Sequence, residues 1–250
     1  MDQQSVAETF HKFFDVSVAS SQTQKNSVFS IRYRVYCDEF GFESIEEFPD
    51  QIEFDEYDPQ STHCLITHRP TGKPAGCVRM VPTYSTEVRD PLPFEKYCAD
   101  SLDRDFLTQI SPARETMCEI SRLAVDGDFR KRAGERRNRC GITEEFQSTE
   151  EERRTFPLIA VSAFLASTAL TNLTRRCDVF MMTEPFLPRL LERSGIVVRR
   201  AGKDVDYHGV RAPYYITADE AAKGLRGDLR DLYHLIFDQF QKDDHVMQLN

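Results

Sequence analysis

Glu119-Ile120-Ser121-Arg122 stand directly before the apolar run Leu123-Ala124-Val125, so a strand there has to accommodate two opposite charges. Strict alternation puts Glu119 and Ser121 on one face and Ile120 and Arg122 on the other. Charges at the mouth of an otherwise apolar strand are costly to bury without partners. The chain supplies candidates well upstream: Arg32 in a helical pattern, Glu53, Asp55 and Asp58 in Glu53-Phe54-Asp55-Glu56-Tyr57-Asp58, and Arg79 in Gly76-Cys77-Val78-Arg79. Stability alone gives little reason to gather charges from four distant segments. A fold that assembles them beside one strand, around a functional site, is the strongest constraint the sequence imposes.

A chain of 250 residues can form one large domain or two small ones. No repeat and no interdomain linker divides it, so a single domain over residues 1–250 is expected. The net charge of −9 disfavours nucleic acid and anionic membranes as partners. The longest mainly apolar stretch, 156–170, falls short of the roughly 20 residues a membrane span needs. Met1-Asp2-Gln3-Gln4 lacks the basic start and apolar core of a signal peptide, and a cytoplasmic location is expected. Seven cysteines without a CxxC read as reduced thiols, and the histidines lack ligand spacing, so no metal site is expected.

Along the chain, residues 6–14 form a possible helix. Ser27 is placed to cap a helix over 28–40 that Gly41 ends, with Arg32 and Tyr36 on one face. Residues 43–60 are acidic and irregular. Residues 63–68 and 75–81 read as a hairpin about Pro70-Thr71-Gly72-Lys73-Pro74, followed by short helices and then the strand 119–125. Residues 129–154, a basic run followed by an acidic one, read as an exposed, mobile insertion. Pro157 suits the first turn of the apolar helix that follows. Strands are expected at 179–183, 196–201 and 213–217, a short helix at 185–193, and a closing helical region at 218–241. That order suggests a mixed α/β sheet flanked by helices.

These residues resemble the autoinducer-synthase family: the acyl-homoserine-lactone synthases and the related long-chain N-acyl amino acid synthases. The likeness is nearest to the acyltransferases of PEP-CTERM/exosortase systems. An arginine, an aromatic four on and a second aromatic six later fall on Arg32, Tyr36 and Phe42. An acidic motif falls on Asp55-Glu56-Tyr57-Asp58 with Glu53 ahead of it, a hairpin arginine on Arg79, and Glu-x-Ser-Arg on Glu119, Ser121 and Arg122. The likeness covers roughly residues 25–217 and implies a GCN5-related N-acetyltransferase fold, an α/β (α+β) sheet. It implies N-acyl transfer with no permanently bound cofactor. The acyl group would arrive on phosphopantetheine, from acyl carrier protein or possibly from acyl-coenzyme A, and would pass to a small amine acceptor. Phe42 stands where the lactone synthases usually carry tryptophan, and this chain has none. That departure favours an amino acid or similar amine over S-adenosylmethionine, the acceptor of the runner-up, a lactone synthase.

On this reading Glu119, Arg122, Arg32 and Asp55 form the catalytic set, with Glu119 accepting the proton of the acceptor amine. Asp58, Arg79, Ser121, Tyr36, Phe42 and Glu53 hold substrate. The oxyanion donor would be a backbone amide of this strand or the next. Arg130, Lys131, Arg132, Arg136 and Arg137 offer a docking patch to an acidic carrier. Each feature also has a plainer explanation: a structural ion pair for Arg32 with Asp55, core packing for Tyr36 and Phe42, a solvated loop for the basic run. A non-catalytic acyl- or carrier-binding protein on the same scaffold is the alternative of a different class.

Overall fold

Alternating strand patterns and one long apolar helix build the protein around an eight-stranded mixed sheet, in a computed structural model that describes residues 5–83, 91–130 and 148–249. Of the carrier-docking residues expected from sequence, Lys131, Arg132, Arg136 and Arg137 lie outside the described residues. The strands are β1 (Phe14–Val18), β2 (Thr62–His68), β3 (Pro74–Pro82), β4 (Met117–Val125), β5 (Asp178–Thr183), β6 (Arg199–Arg200), β7 (Val205–Asp206) and β8 (Val210–Thr217). Their order is β1-β2-β3-β4-β5-β8-β6, with β7 paired to β8. All neighbours are antiparallel except β4 and β5. The parallel pair aligns only Met117–Glu119 with Asp178–Phe180. β4 runs on to Val125 without β5 beside it.

The helix Leu158–Leu173 packs on one face of this sheet and against the helix Asp228–Gln241. Gly76 permits the close approach: a Cβ there would lie 2.8 Å from Ile159 Cγ2 and 3.2 Å from the Ala124 carbonyl. The other face carries the helix Gln22–Arg32, with Val28 and Ile31 packed on Leu65, Cys77 and Ala124. This helix begins earlier than expected. Ser21 caps it in a reciprocal box with Gln24, while the Ser27 hydroxyl turns inward and donates to the Thr23 carbonyl. The helix then widens into a π-helical segment, Tyr33–Glu39, a loosening that recurs at functional sites.

Four other expectations change. The first is β1, which follows the helix Val6–Phe13 with no turn signal between them. The strand expected at 196–201 shortens to Arg199–Arg200, and the closing helical region divides at Gly227. The fourth is the face of Arg122. The pairing of β3 with β4 slips between Arg79↔Ser121 and Cys77↔Ala124, where three steps on β4 face two on β3, and Arg122 takes φ +53°. This β-bulge inverts the alternation. Ile120 and Val125 both join the core beneath the helix Leu158–Leu173, whereas Ala124 faces the opposite side. Arg122 therefore leaves the face that strict alternation gave it and joins Glu119 and Ser121.

Overpacking at the tight crossing should be costly. Gly76→Ala is expected to lower stability by about 1–3 kcal/mol in urea unfolding. A Gly76→Ala protein as stable as the parent would refute the close approach.

Candidate active site

The acidic segment Glu53–Asp58 is sparing in helix and strand because its carboxylates bind backbone and arginine instead. Asp58 accepts from the Asp55 amide at 2.7 Å and Asp55 from the Tyr57 amide at 2.9 Å, local bonds that compete with regular structure. The segment is thereby held against β3 and β4 with the carboxylates of Glu53, Asp55 and Asp58 turned inward.

Three arginines meet it. Arg32, wholly buried, pairs through Nε with Glu53 and through Nη1 with Asp58 at 2.6 Å, and not with Asp55. Arg79 donates to Asp55 at 2.6 Å, to Asp58 at 3.0 Å and to the Ser121 hydroxyl at 3.1 Å. Arg122, turned in by the bulge, reaches Glu53 at 3.2 Å and Asp55 and Glu43 at 3.3 Å. Burial alone would raise the Asp58 carboxyl, but Arg32, Arg79 and the Asp55 amide outweigh it and hold the group below the usual carboxylate range. Behind Asp58, burial drives His63 down to about 4, so its ring is neutral. Arg32 Nη2 and both His63 nitrogens are buried without a hydrogen-bond partner among the described residues.

Glu119 stands apart from this lattice. It is buried on β4 and forms no ion pair among the described residues; its Oε2 accepts from the Phe94 amide at 2.7 Å. Burial pushes its carboxyl up to about 7, with Asp55 adding to the rise; the Phe94 amide, Arg79 and Arg122 pull the other way without overcoming it. The resident carboxylates occupy Arg79 and Arg122, and Glu119 is left to exchange a proton near neutrality.

Glu119, Ser121, Arg122, Arg79, Asp55 and Glu53 line one cleft of about 340 Å³, and Tyr36 and Phe42 wall it. Arg32 and Asp58 sit behind that wall and fix it. The Tyr36 hydroxyl donates to the Leu123 carbonyl at 2.9 Å, and its ring lies 5.5 Å from the Arg122 guanidinium and 6.2 Å from the Phe42 ring. Arg130, the one described residue of the expected docking patch, is bound to Glu39 and to the Val125 carbonyl at 2.7 Å and covers Phe40. The cleft also contains Phe48, Phe54, Tyr97, Tyr207, His208 and Arg211, which sequence reasoning missed. Tyr207 and His208 belong to the tight turn before β8, marked by His208 at φ +52° and Gly209 at +93°. The sequence Tyr207-His208-Gly209 offered a turn signal but nothing to place it over the cleft.

Residues 31–137 match the acetyltransferase (GNAT) domain family. No curated protein matches the chain in sequence. Several solved structures share its fold at low identity. The AHL synthase LasI is 15% identical with a TM-score of 0.55, covering 86% of this chain and 97% of its own. TofI, solved in a ternary complex with an inhibitor and MTA, is 19% identical with a TM-score of 0.59, covering 90% and 99%. FeeM, an N-acyl amino acid synthase from uncultured soil microbes, is 12% identical with a TM-score of 0.54, covering 85% and 94%. The fold is GNAT-like, the mixed sheet flanked by helices that the sequence implied, and the domain match with this fold supports an acyltransferase.

Two stability measurements separate the lattice from the carboxyl it surrounds. Asp58→Asn should cost about 3–5 kcal/mol, because Arg32 and Arg79 keep their charge and lose a buried partner. Glu119→Gln should act in the opposite sense. The folded protein holds the Glu119 proton more tightly than the unfolded chain, so this group's contribution declines as pH rises from about 4.5 to 7. Glu119→Gln should match the parent near pH 4.5 and exceed it at pH 8 by up to about 3 kcal/mol. Thermal unfolding across that range reads both effects, and a Glu119→Gln protein less stable than the parent at pH 8 would contradict the raised value.

Proposed function

We propose that the protein is an N-acyltransferase that moves a long-chain fatty acyl group from the phosphopantetheine thioester of an acyl carrier protein to the amine of an amino acid or similar small acceptor. The observation that carries this reading is a buried carboxyl poised near pH 7 in a cleft whose other buried carboxylates are already paired. An acceptor ammonium must lose a proton before it can attack a thioester, and a base of that strength is matched to the task. Glu119 takes the proton, directly or through a water molecule. The amine nitrogen then bonds to the carbonyl carbon, and collapse of the adduct breaks the carbon–sulfur bond; the sulfur takes the proton that the acylated nitrogen loses and leaves as the pantetheine thiol.

The parting of β4 and β5 beyond Glu119 supports the same reading. Backbone groups of β4 past that point have no β5 partner, so its amides are available to a pantetheine arm or a developing oxyanion, whose stabilisation is worth about 10²–10³ in rate. Ser121, fixed by Arg79, orients substrate. Tyr36 and Phe42 form the acceptor wall, and the Arg32–Asp58 pair positions Arg79 and the acidic segment. In sequence, Arg130, Lys131, Arg132, Arg136 and Arg137 concentrate positive charge that complements an acidic carrier, in a protein of net charge −9. No helix among the described residues is long and apolar enough to cross a membrane, and a cytoplasmic site of action suits a carrier-borne donor.

The test follows thiol release with a long-chain acyl carrier protein and pooled amino acids. Glu119→Gln should lower kcat by about 10²–10⁴. In the parent, kcat/KM should climb with pH through about 7 as Glu119 ionises, and the variant should lose that limb. Full kcat in a folded Glu119→Gln protein would remove Glu119 as the base. Arg136→Glu and Arg137→Glu together should raise KM for the acyl carrier about tenfold with kcat little changed; a salt-insensitive, unaltered KM would remove the docking assignment.

A further inference from the structure

Three arginines line the cleft, and resident carboxylates already engage two of them: Arg79 through Asp55 and Asp58, and Arg122 through Glu53, Asp55 and Glu43. Arg211 differs. It stands near the start of β8, its guanidinium forms no ion pair or hydrogen bond with any described residue, and its Nε is buried without a partner. Its guanidinium lies 5.7 Å from the centre of the Phe42 ring. Packing on an aromatic ring holds the guanidinium in place and leaves its N–H groups unsatisfied. Such a cation, partly withdrawn from water, is costly to the fold unless something binds it.

We propose that Arg211 receives the carboxylate of the acyl acceptor, so that the acceptor is an α-amino acid and not a plain amine. The inference rests on the acyl-transfer reading above and narrows it. Glu119 and Arg211 line the same cleft, one suited to an ammonium and its proton, the other to an anion. An α-amino acid carries both groups, its carboxyl carbon two bonds from its nitrogen. The donor's phosphate is the other anion at hand, but the long pantetheine arm keeps it far from the thioester and hence from Glu119. Arginine also suits a carboxylate by geometry, since two parallel N–H groups meet its two oxygens.

The experiment compares amino acids with their decarboxylated counterparts as acceptors: phenylalanine with phenethylamine, leucine with isopentylamine, and S-adenosylmethionine with its decarboxylated form. Wild-type protein should prefer the carboxylated member of at least one pair. Arg211→Met should lower kcat/KM for that member roughly 10- to 100-fold, mainly through KM, and collapse the preference. Arg211→Lys, which keeps the charge and loses the fork, should recover part of it. An unchanged preference in Arg211→Met would overturn the proposal. So would a rise in the KM of the acyl donor alone, which would assign Arg211 to phosphate. If no acceptor is acylated, calorimetric titration of the same pairs without donor decides. Selective binding of the amino acid by wild type and not by Arg211→Met retains the carboxylate site while the transfer reading falls. Equal or absent binding in both proteins rejects the site.

Discussion

The pairing of Arg32, Arg79 and Arg122 with carboxylates of one acidic segment is the interaction on which the site depends. Each guanidinium is withdrawn from water to a degree that an unpaired charge would not survive. Glu53 binds two of them, Asp55 two and Asp58 two, so the charges are linked and not merely adjacent. The consequence is local rigidity where the chain has little regular structure. The ion pairs fix the acidic segment to the end of the helix Gln22–Arg32, to β3 and to β4, elements that the sheet and the apolar cluster of Val28, Ile31, Leu65, Cys77 and Ala124 already join.

That arrangement also accounts for the state of Glu119. A carboxyl beside a free arginine would stay ionised well below neutrality. Here Arg79 and Arg122, the guanidiniums that act on Glu119, carry their own counter-charges, so burial dominates and the proton is held until about pH 7. The protein accepts the free-energy cost of an ionisable group in an apolar strand, and in return has a base that is strong enough to matter and partly unprotonated at neutral pH. The β-bulge serves the same end. A regular strand would send Arg122 into the core beneath the helix Leu158–Leu173; the extra residue sends it to the lattice.

The strands 62–68, 74–82 and 117–125 were legible because their hydrophobic patterns are clear and their turns carry proline and glycine. The lattice was legible because motifs scattered over ninety residues make sense only together. The bulge was not: alternation predicts the wrong face for Arg122, and no glycine marks the positive φ. The helix start was misplaced because Ser27 looks like a cap, whereas the reciprocal Ser21–Gln24 bonds decide the matter. β1 escaped notice because no breaker separates it from the helix before it. The walls supplied by Tyr97, Tyr207, His208 and Arg211 come from the short helix Pro93–Tyr97 and a late hairpin, and their convergence is a property of topology that no local pattern carries. The amide of Phe94, the one donor to the Glu119 carboxyl among the described residues, has no side-chain signature at all.

The account turns on the proton affinity of a single side chain, and a carbon-13 NMR titration of the glutamate carboxyls reads it directly, with Glu119→Gln supplying the assignment. One resonance absent from the variant should titrate at about 7 in the parent. A Glu119 carboxyl that titrates in the ordinary range near 4 would mean that the arginines do stabilise its charge, and the division between a saturated lattice and a free base would be wrong.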